Sequence, residues 1–288
     1  MKKALLLSAI FVLALATLAC GISIDLPVET LNAGPTETEQ IFVPVPEQGS
    51  ADVRLEFGAG VLELSPGAES GLIEGIARYN VTDLAPDVDI TGEQVRISTG
   101  DFEIKGIPTL RFDDLENTWE LNLGTAPMDL DIKAGAYEGD YDLGGLSLGS
   151  LEISDGAADV RLDFSEPNLV VMERFRYSTG ASSVKMTNLG NANFKSMSFS
   201  GGAGDYLLDF SDGLQQDASV TIKAGISELT IIVPEDQQVE VNLKTRLSNV
   251  DADGNWQRSG STYQVSGSGP KLTIFVEMGA GNLVLRGR

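Results

Sequence analysis

Forty-two carboxylates and no histidine define the chemistry open to this 288-residue chain. Glu138, Asp159, Asp205 and Glu228 each stand three residues after a glycine in segments of similar sequence, with Ser183 in the matching place between them. Carboxylates set side by side repel unless a cation lies between them, and a row of bound Ca²⁺ is the chemistry such a row would suit. The plainer expectation is that each accepts hydrogen bonds from turn amides, as in Asx turns. A second acidic run, Asn249-Val250-Asp251-Ala252-Asp253-Gly254-Asn255, opens like a calcium loop and makes Asp251 and Asp253 weak metal candidates. Such a loop needs a bidentate carboxylate at its twelfth position, where this chain has Gly260, so the run is expected at a hairpin tip. Trp256 beside it is expected to cap the fold.

Asp142, Asp163 and Asp209 share another repeated position. Paired carboxylates hydrolyse glycosides when they sit in different environments within a cleft, and a regular acidic face supplies no such asymmetry. Without histidine no serine can be activated by the usual base, and the commonest transition-metal ligand is missing. The expectation is a protein that is not an enzyme and uses no cofactor.

The single cysteine, Cys20, follows Met1-Lys2-Lys3 and an apolar run from Ala4 to Ala19. That is the layout of an export signal over residues 1–19, too short for a comfortable membrane span. Thr17-Leu18-Ala19-Cys20 resembles the lipobox of bacterial lipoproteins, in which the matching cysteine is acylated and becomes the mature N-terminus; Thr17 departs from the leucine usual there. A lipid on Cys20 would hold the chain to a membrane without spanning it. The formal net charge of −22 repels nucleic acid and anionic headgroups. The expected partners are therefore the membrane, through that lipid, and envelope proteins or surface polymers.

The elements that carry these side chains are repeats. Gly58, Gly135, Gly156, Gly180, Gly202, Gly225 and Gly279 lie in seven copies of one frame, the middle five separated by 21–24 residues. Five and three residues before each glycine the chain is apolar throughout, from Val53 and Leu55 to Ile274 and Val276. Four and six residues after it, Gly139 alone interrupts the apolar set. The intervening positions are mostly polar or charged, as at Arg54, Asp131, Glu152 and Arg176. Period-two alternation of this kind predicts half-buried strands, and a period near 22 residues predicts stacked rungs. The glycine, followed by alanine in six of seven copies, is expected to form a corner at positive φ.

The reading divides the chain into the export signal, a Pro/Thr/Glu-rich flexible tether over 20–49, an irregular β domain over 50–125 and a main β-repeat domain over 126–288. Within the tether, Ile41-Phe42-Val43 is the one stretch suited to an edge strand. The fold class is all-β, a stack of β-strand repeats in the manner of a β-solenoid.

The run from Asp52 to Gly60 followed by Arg78-Tyr79-Asn80 resembles the N-terminal domain of bacterial toast-rack proteins. Pro127 to Ile132, Leu162-Asp163-Phe164-Ser165, Leu189 to Phe194 and Gly201 to Asp205 resemble the main toast-rack domain. The resemblance covers nearly all of the mature chain. It implies a stacked β architecture and an envelope location, and it brings no catalytic residues. Related domains occur in predicted adhesins and in membrane proteins of the envelope antibiotic-stress response. The function expected first is thus a non-enzymatic, membrane-anchored adhesin or envelope scaffold. A regulatory component of an envelope-stress response that binds a partner protein is the second reading, and a calcium-dependent binding module the third.

Overall fold

In the computed structural model the structure describes residues 33–99, 115–245 and 248–288. These fall in one unit of the chain, residues 32–102 and 112–288. The expected export signal, Cys20 and the start of the tether lie outside the described residues. The first strands are β1 (Glu37–Pro44), β2 (Ala51–Pro66), β3 (Gly71–Tyr79), β4 (Pro86–Thr91), β5 (Gln94–Thr99) and β6 (Asn117–Leu123). Five long strands follow: β7 (Met128–Asp142), β8 (Leu148–Asp163), β9 (Arg174–Thr187), β10 (Ser196–Asp209) and β11 (Ala218–Val233). The chain closes with β12 (Gln237–Thr245), β13 (Ser248–Asp253), β14 (Gln257–Ser259), β15 (Thr262–Val265) and β16 (Ser268–Gly287).

The seven rungs are β2, β7, β8, β9, β10, β11 and β16, hydrogen-bonded in that order and parallel throughout. Their register follows the repeat frame. Val53, Leu130, Leu151, Phe175, Met197, Val220 and Ile274 pair in succession as one buried column. Leu64, Tyr141, Leu162, Met186, Leu208, Ile231 and Leu285 form another. Each fully buried aliphatic side chain in such a column contributes roughly 1.5–3 kcal/mol.

The corner glycines act differently from the expectation. Each rung passes its glycine as a single continuous strand, and the inward positions change from odd offsets before it to even offsets after it. None of the seven has positive φ; Gly60, Gly204 and Gly281, two residues further on, take it instead, at 129°, 154° and 125°. What excludes a side chain is the rung beneath. A β-carbon on Gly135, Gly180, Gly202 or Gly225 would stand 2.3–2.5 Å from the carbonyl oxygen of the preceding corner glycine. The glycines form a ladder because the bend brings neighbouring backbones into contact, as at a bulge.

The connections between rungs cover the inner face. Phe164, Phe175, Phe194 and Phe210 meet edge to face in series at 6.0–6.4 Å. Amides latch each connection to the next: Asn168 Nδ2 donates to the carbonyls of Leu148 and Val170 at 2.9 and 2.8 Å, and Asn191 Nδ2 to that of Phe164 at 2.9 Å.

Both end rungs are closed in the same way. Along β2, β5 pairs the arm before the bend and β6 the arm after it, both parallel. Along β16, β12 and β13 do the same. β3 and then β1 extend the first edge antiparallel, while β15 and β14 extend the other. β4 returns on β5 as a hairpin. The sheet is continuous across residue 125, since β2 pairs both β6 and β7.

Two expectations need correction. The tether does not reach residue 49: Glu37–Pro44 is strand β1, because Ile41 and Val43 alternate inward and are 2% and 0% exposed. The run 249–253 is no hairpin tip. It belongs to β13, with Asp251 beside Val284 and Asp253 beside Arg286, and the tip lies at Gly260 between β14 and β15.

Candidate functional site

The bend sends position +3 of each rung outward, and parallel register sets Glu138, Asp159, Ser183, Asp205, Glu228 and Asn282 side by side. All are exposed, so water screens their mutual repulsion. Among the described residues no three acidic, cysteine or histidine side chains converge as a metal-holding group. Asp251 and Asp253 lie exposed on an extended strand, which cannot wrap an ion as a calcium loop does.

Asp142, Asp163 and Asp209 are committed to the turns that end their rungs. Asp142 accepts from the Gly144 amide at 2.9 Å and from the Ser165 hydroxyl at 2.7 Å. Asp163 accepts from Thr187 Oγ1 at 2.6 Å and Asn188 Nδ2 at 2.7 Å. Asp209 accepts from the Ser211 amide at 2.9 Å. These are capping carboxylates, each accepting hydrogen bonds at a turn. Trp256 packs edge-on against Tyr263, with centroids 6.5 Å apart, at the β14–β15 end of the sheet.

Inside the bend lies a polar cluster that the repeat frame did not single out. Asp155, one residue before its corner glycine, is half-buried. It accepts hydrogen bonds from Tyr177 Oη at 2.7 Å and from Thr179 Oγ1. Tyr137 Oη lies 3.5 Å away. Burial, reinforced by the Asp155 carboxylate, raises the pKa of Tyr137; burial raises Tyr177 further, with Tyr137 and Asp155 adding to it. These phenols stay protonated, and Tyr177 donates to the Asp155 carboxyl group. The hydroxyl of Tyr206 is buried without a hydrogen-bond partner among the described residues. The anomaly at Gly139 marked this place. A β-carbon there would stand 2.9 Å from the Tyr137 ring and 3.0 Å from Tyr141 Oη, so the two rings occupy the vacated volume.

The outward face before the bend carries the best-formed surface site. The β4–β5 hairpin stands beside β2, β7 and β8 and closes a cleft of about 450 Å³ lined by Asp52, Arg54, Arg96, Asp131, Glu152 and Arg174 among others. Arg54 Nε pairs with Asp131 at 2.9 Å and Arg96 Nη2 with Glu56 at 2.6 Å. On the same face Arg176 Nη1 lies 3.4 Å from Glu152. Each guanidinium is about half exposed, so such pairs contribute at most about 1 kcal/mol and can be exchanged for a ligand. Arg174 has no ion-pair partner among the described residues. The sequence marked Arg54, Asp131, Glu152 and Arg176 as outward, but the wall formed by β4 and β5 became visible only in the fold.

The family profile described as the N-terminal domain of toast_rack matches residues 32–173. No curated protein matches the chain. Among solved structures, a candidate cell adhesion protein from Clostridium sporogenes is 18% identical, with a TM-score of 0.50 over 88% of this chain and 100% of that one. A candidate adhesin from Parabacteroides merdae is 11% identical, with a TM-score of 0.40 over 88% and 97% of the two chains. A candidate lipid binding protein from Parabacteroides distasonis is 12% identical, with a TM-score of 0.43 over 88% and 99%. At the first of these identities the likeness is one of fold.

Proposed function

We propose that this chain, whose residues 32–173 match the N-terminal domain of toast_rack, is a non-enzymatic, adhesin-like protein of the bacterial surface. In this reading a lipid on Cys20 holds it to the outer face of a membrane. The observation that carries the proposal is the outward face of the rungs, where parallel register repeats each side-chain column from strand to strand at about 4.8 Å. A rigid face of that kind suits an extended polymer or a flat partner. The Asp142, Asp163 and Asp209 carboxylates are taken up by turns, and the Tyr137 and Tyr177 phenols stay protonated, which argues for binding over turnover. The cell-adhesion name of a protein of similar fold agrees with it.

The cleft beside the β4–β5 hairpin is the proposed contact. Its mixture of guanidinium and carboxylate groups fits a surface polymer carrying charges of both signs. Beads coated with the full chain, washed over immobilised bacterial cell-envelope fragments, test the proposal. Retention above that of albumin-coated beads is expected; equal retention contradicts it.

A further inference from the structure

The column four residues before the corner glycine reads Arg54, Asp131, Glu152, Arg176, Ser198, Thr221 and Phe275. Six rungs put a polar side chain on this outward face, and the last puts a phenyl ring there. Phe275 is 49% exposed, although Thr221 lies beside it on β11 and Asn242 beside it on β12. A lone exposed apolar side chain needs no explanation by itself. The surroundings of this one give it a function.

Phe275 lines a shallow depression of about 180 Å³ with Thr221, Lys223, Asn242, Lys244 and Glu277. Past Lys223, Lys244 and Glu277 the depression continues into a hollow of about 830 Å³ that reaches Ser200 on β10. The charges here are largely paired within the protein: Lys244 Nζ donates to Glu277 at 3.2 Å, and Lys271 Nζ to Glu240 at 2.9 Å. Glu240 also accepts from Asn242 Nδ2 at 2.9 Å, which fixes the amide next to the ring. On a chain of formal net charge −22, this patch stands out as not acidic, with Lys223, Lys244 and Lys271 against Glu240 and Glu277. It offers one half-exposed aromatic ring among hydroxyl, amide, ammonium and carboxylate groups.

We infer that this depression is a binding site for neutral pyranose units of a polysaccharide. A pyranose ring has an apolar face of C–H bonds and a rim of hydroxyls that both donate and accept. Its C–H face complements the electron-rich face of Phe275, and its rim complements Thr221, Lys223, Asn242 and Glu277. A fatty chain would leave that polar rim unpaired, at a cost in desolvation. A nucleic acid would meet the repulsion of the acidic protein. The adjoining hollow gives room for further sugar units. The site is separate from the β4–β5 cleft, and the inference stands whether or not the protein holds to surfaces.

Saturation-transfer NMR and calorimetry on the full chain with cellohexaose, chitohexaose, maltohexaose and mannohexaose test it. At least one of these is expected to bind in the millimolar range or tighter. Phe275→Ala should weaken that binding by about tenfold, the scale of one lost stacking contact, while Phe275→Trp retains it. The side chain points outward, so both variants should melt as the parent does. Failure of all four oligosaccharides to bind overturns the inference, as does equal binding by the Phe275→Ala chain.

Discussion

The carbonyl oxygen of Gly202 lies 2.3 Å from where a β-carbon on Gly225 would stand, on the neighbouring rung. The same relation at Gly156, against Gly135, is looser at 3.0 Å. Both glycines have φ that any residue adopts, so the demand is steric and comes from the stack. Gly225→Ala should destabilise by about 1–3 kcal/mol, as overpacked sites do, and Gly156→Ala by clearly less. Urea titrations of the two variants decide it, and equal costs would refute the ladder explanation.

Leu162 and Arg161 are adjacent on β8 and face opposite ways. Leu162 is 1% exposed in the column between Tyr141 and Met186, whereas Arg161 is exposed. Leu162→Ala should cost about 2–5 kcal/mol and Arg161→Ala less than about 0.5 kcal/mol. Comparable losses by chemical denaturation would mean that the register is wrong.

Glu74 secures the turn before β3. Its carboxylate accepts from the Ser70 hydroxyl at 2.7 Å, the Ser70 amide at 2.8 Å and the Gly71 amide at 2.6 Å. Hydrogen bonds from Ser70 above all lower its pKa from the ordinary 4.5 to about 2. A depressed folded pKa means that this support is complete above about pH 4.5 and is lost as pH falls through about 2. Carboxyl-carbon NMR should follow Glu74 titrating near 2; a midpoint near 4.5 contradicts the geometry.

Tyr177 is fully buried against Asp155, and burial before all else raises its hydroxyl pKa. Its contribution to stability is complete below the unfolded value near 10 and is lost as pH rises beyond it. Absorbance at 295 nm should therefore register this tyrosine only when the fold opens in alkali. Tyr177→Phe should cost about 1.5–3 kcal/mol, the range for a hydrogen bond to a charged group. A free titration of Tyr177 near pH 10 in the folded protein would contradict this.

The parallel rungs were legible because period-two alternation survives in every copy, from Val53 and Leu55 to Ile274 and Val276. The role of the glycines was not, because the atom that excludes a side chain belongs to the neighbouring rung, some 21–24 residues away in the middle copies. Ile41-Phe42-Val43 was legible as an edge-strand candidate, but the start of β1 at Glu37 was not, because its first four residues are exposed and follow no alternation. Asp251 and Asp253 read as a loop because acidic, glycine-containing sequence favours turns; pairing with β16 overrides that preference. Asp155 was visible as an acid in a mostly small or apolar column, and Gly139 as a gap in another. Only the fold joined them, through Tyr137. The β4–β5 wall of the cleft depends on a hairpin whose placement along β2 no local pattern encodes.

The outward charged face beside β4–β5 is the proposed contact with bacterial surfaces. The most direct measurement is retention under flow of beads bearing the full chain, compared with beads bearing the Arg54→Gln, Arg174→Gln chain, on bacterial envelope fragments. Parent beads should hold, the double variant should hold several-fold less, and both chains should melt at the same temperature. Parent beads that wash away like albumin controls, or two chains that hold equally, would contradict it.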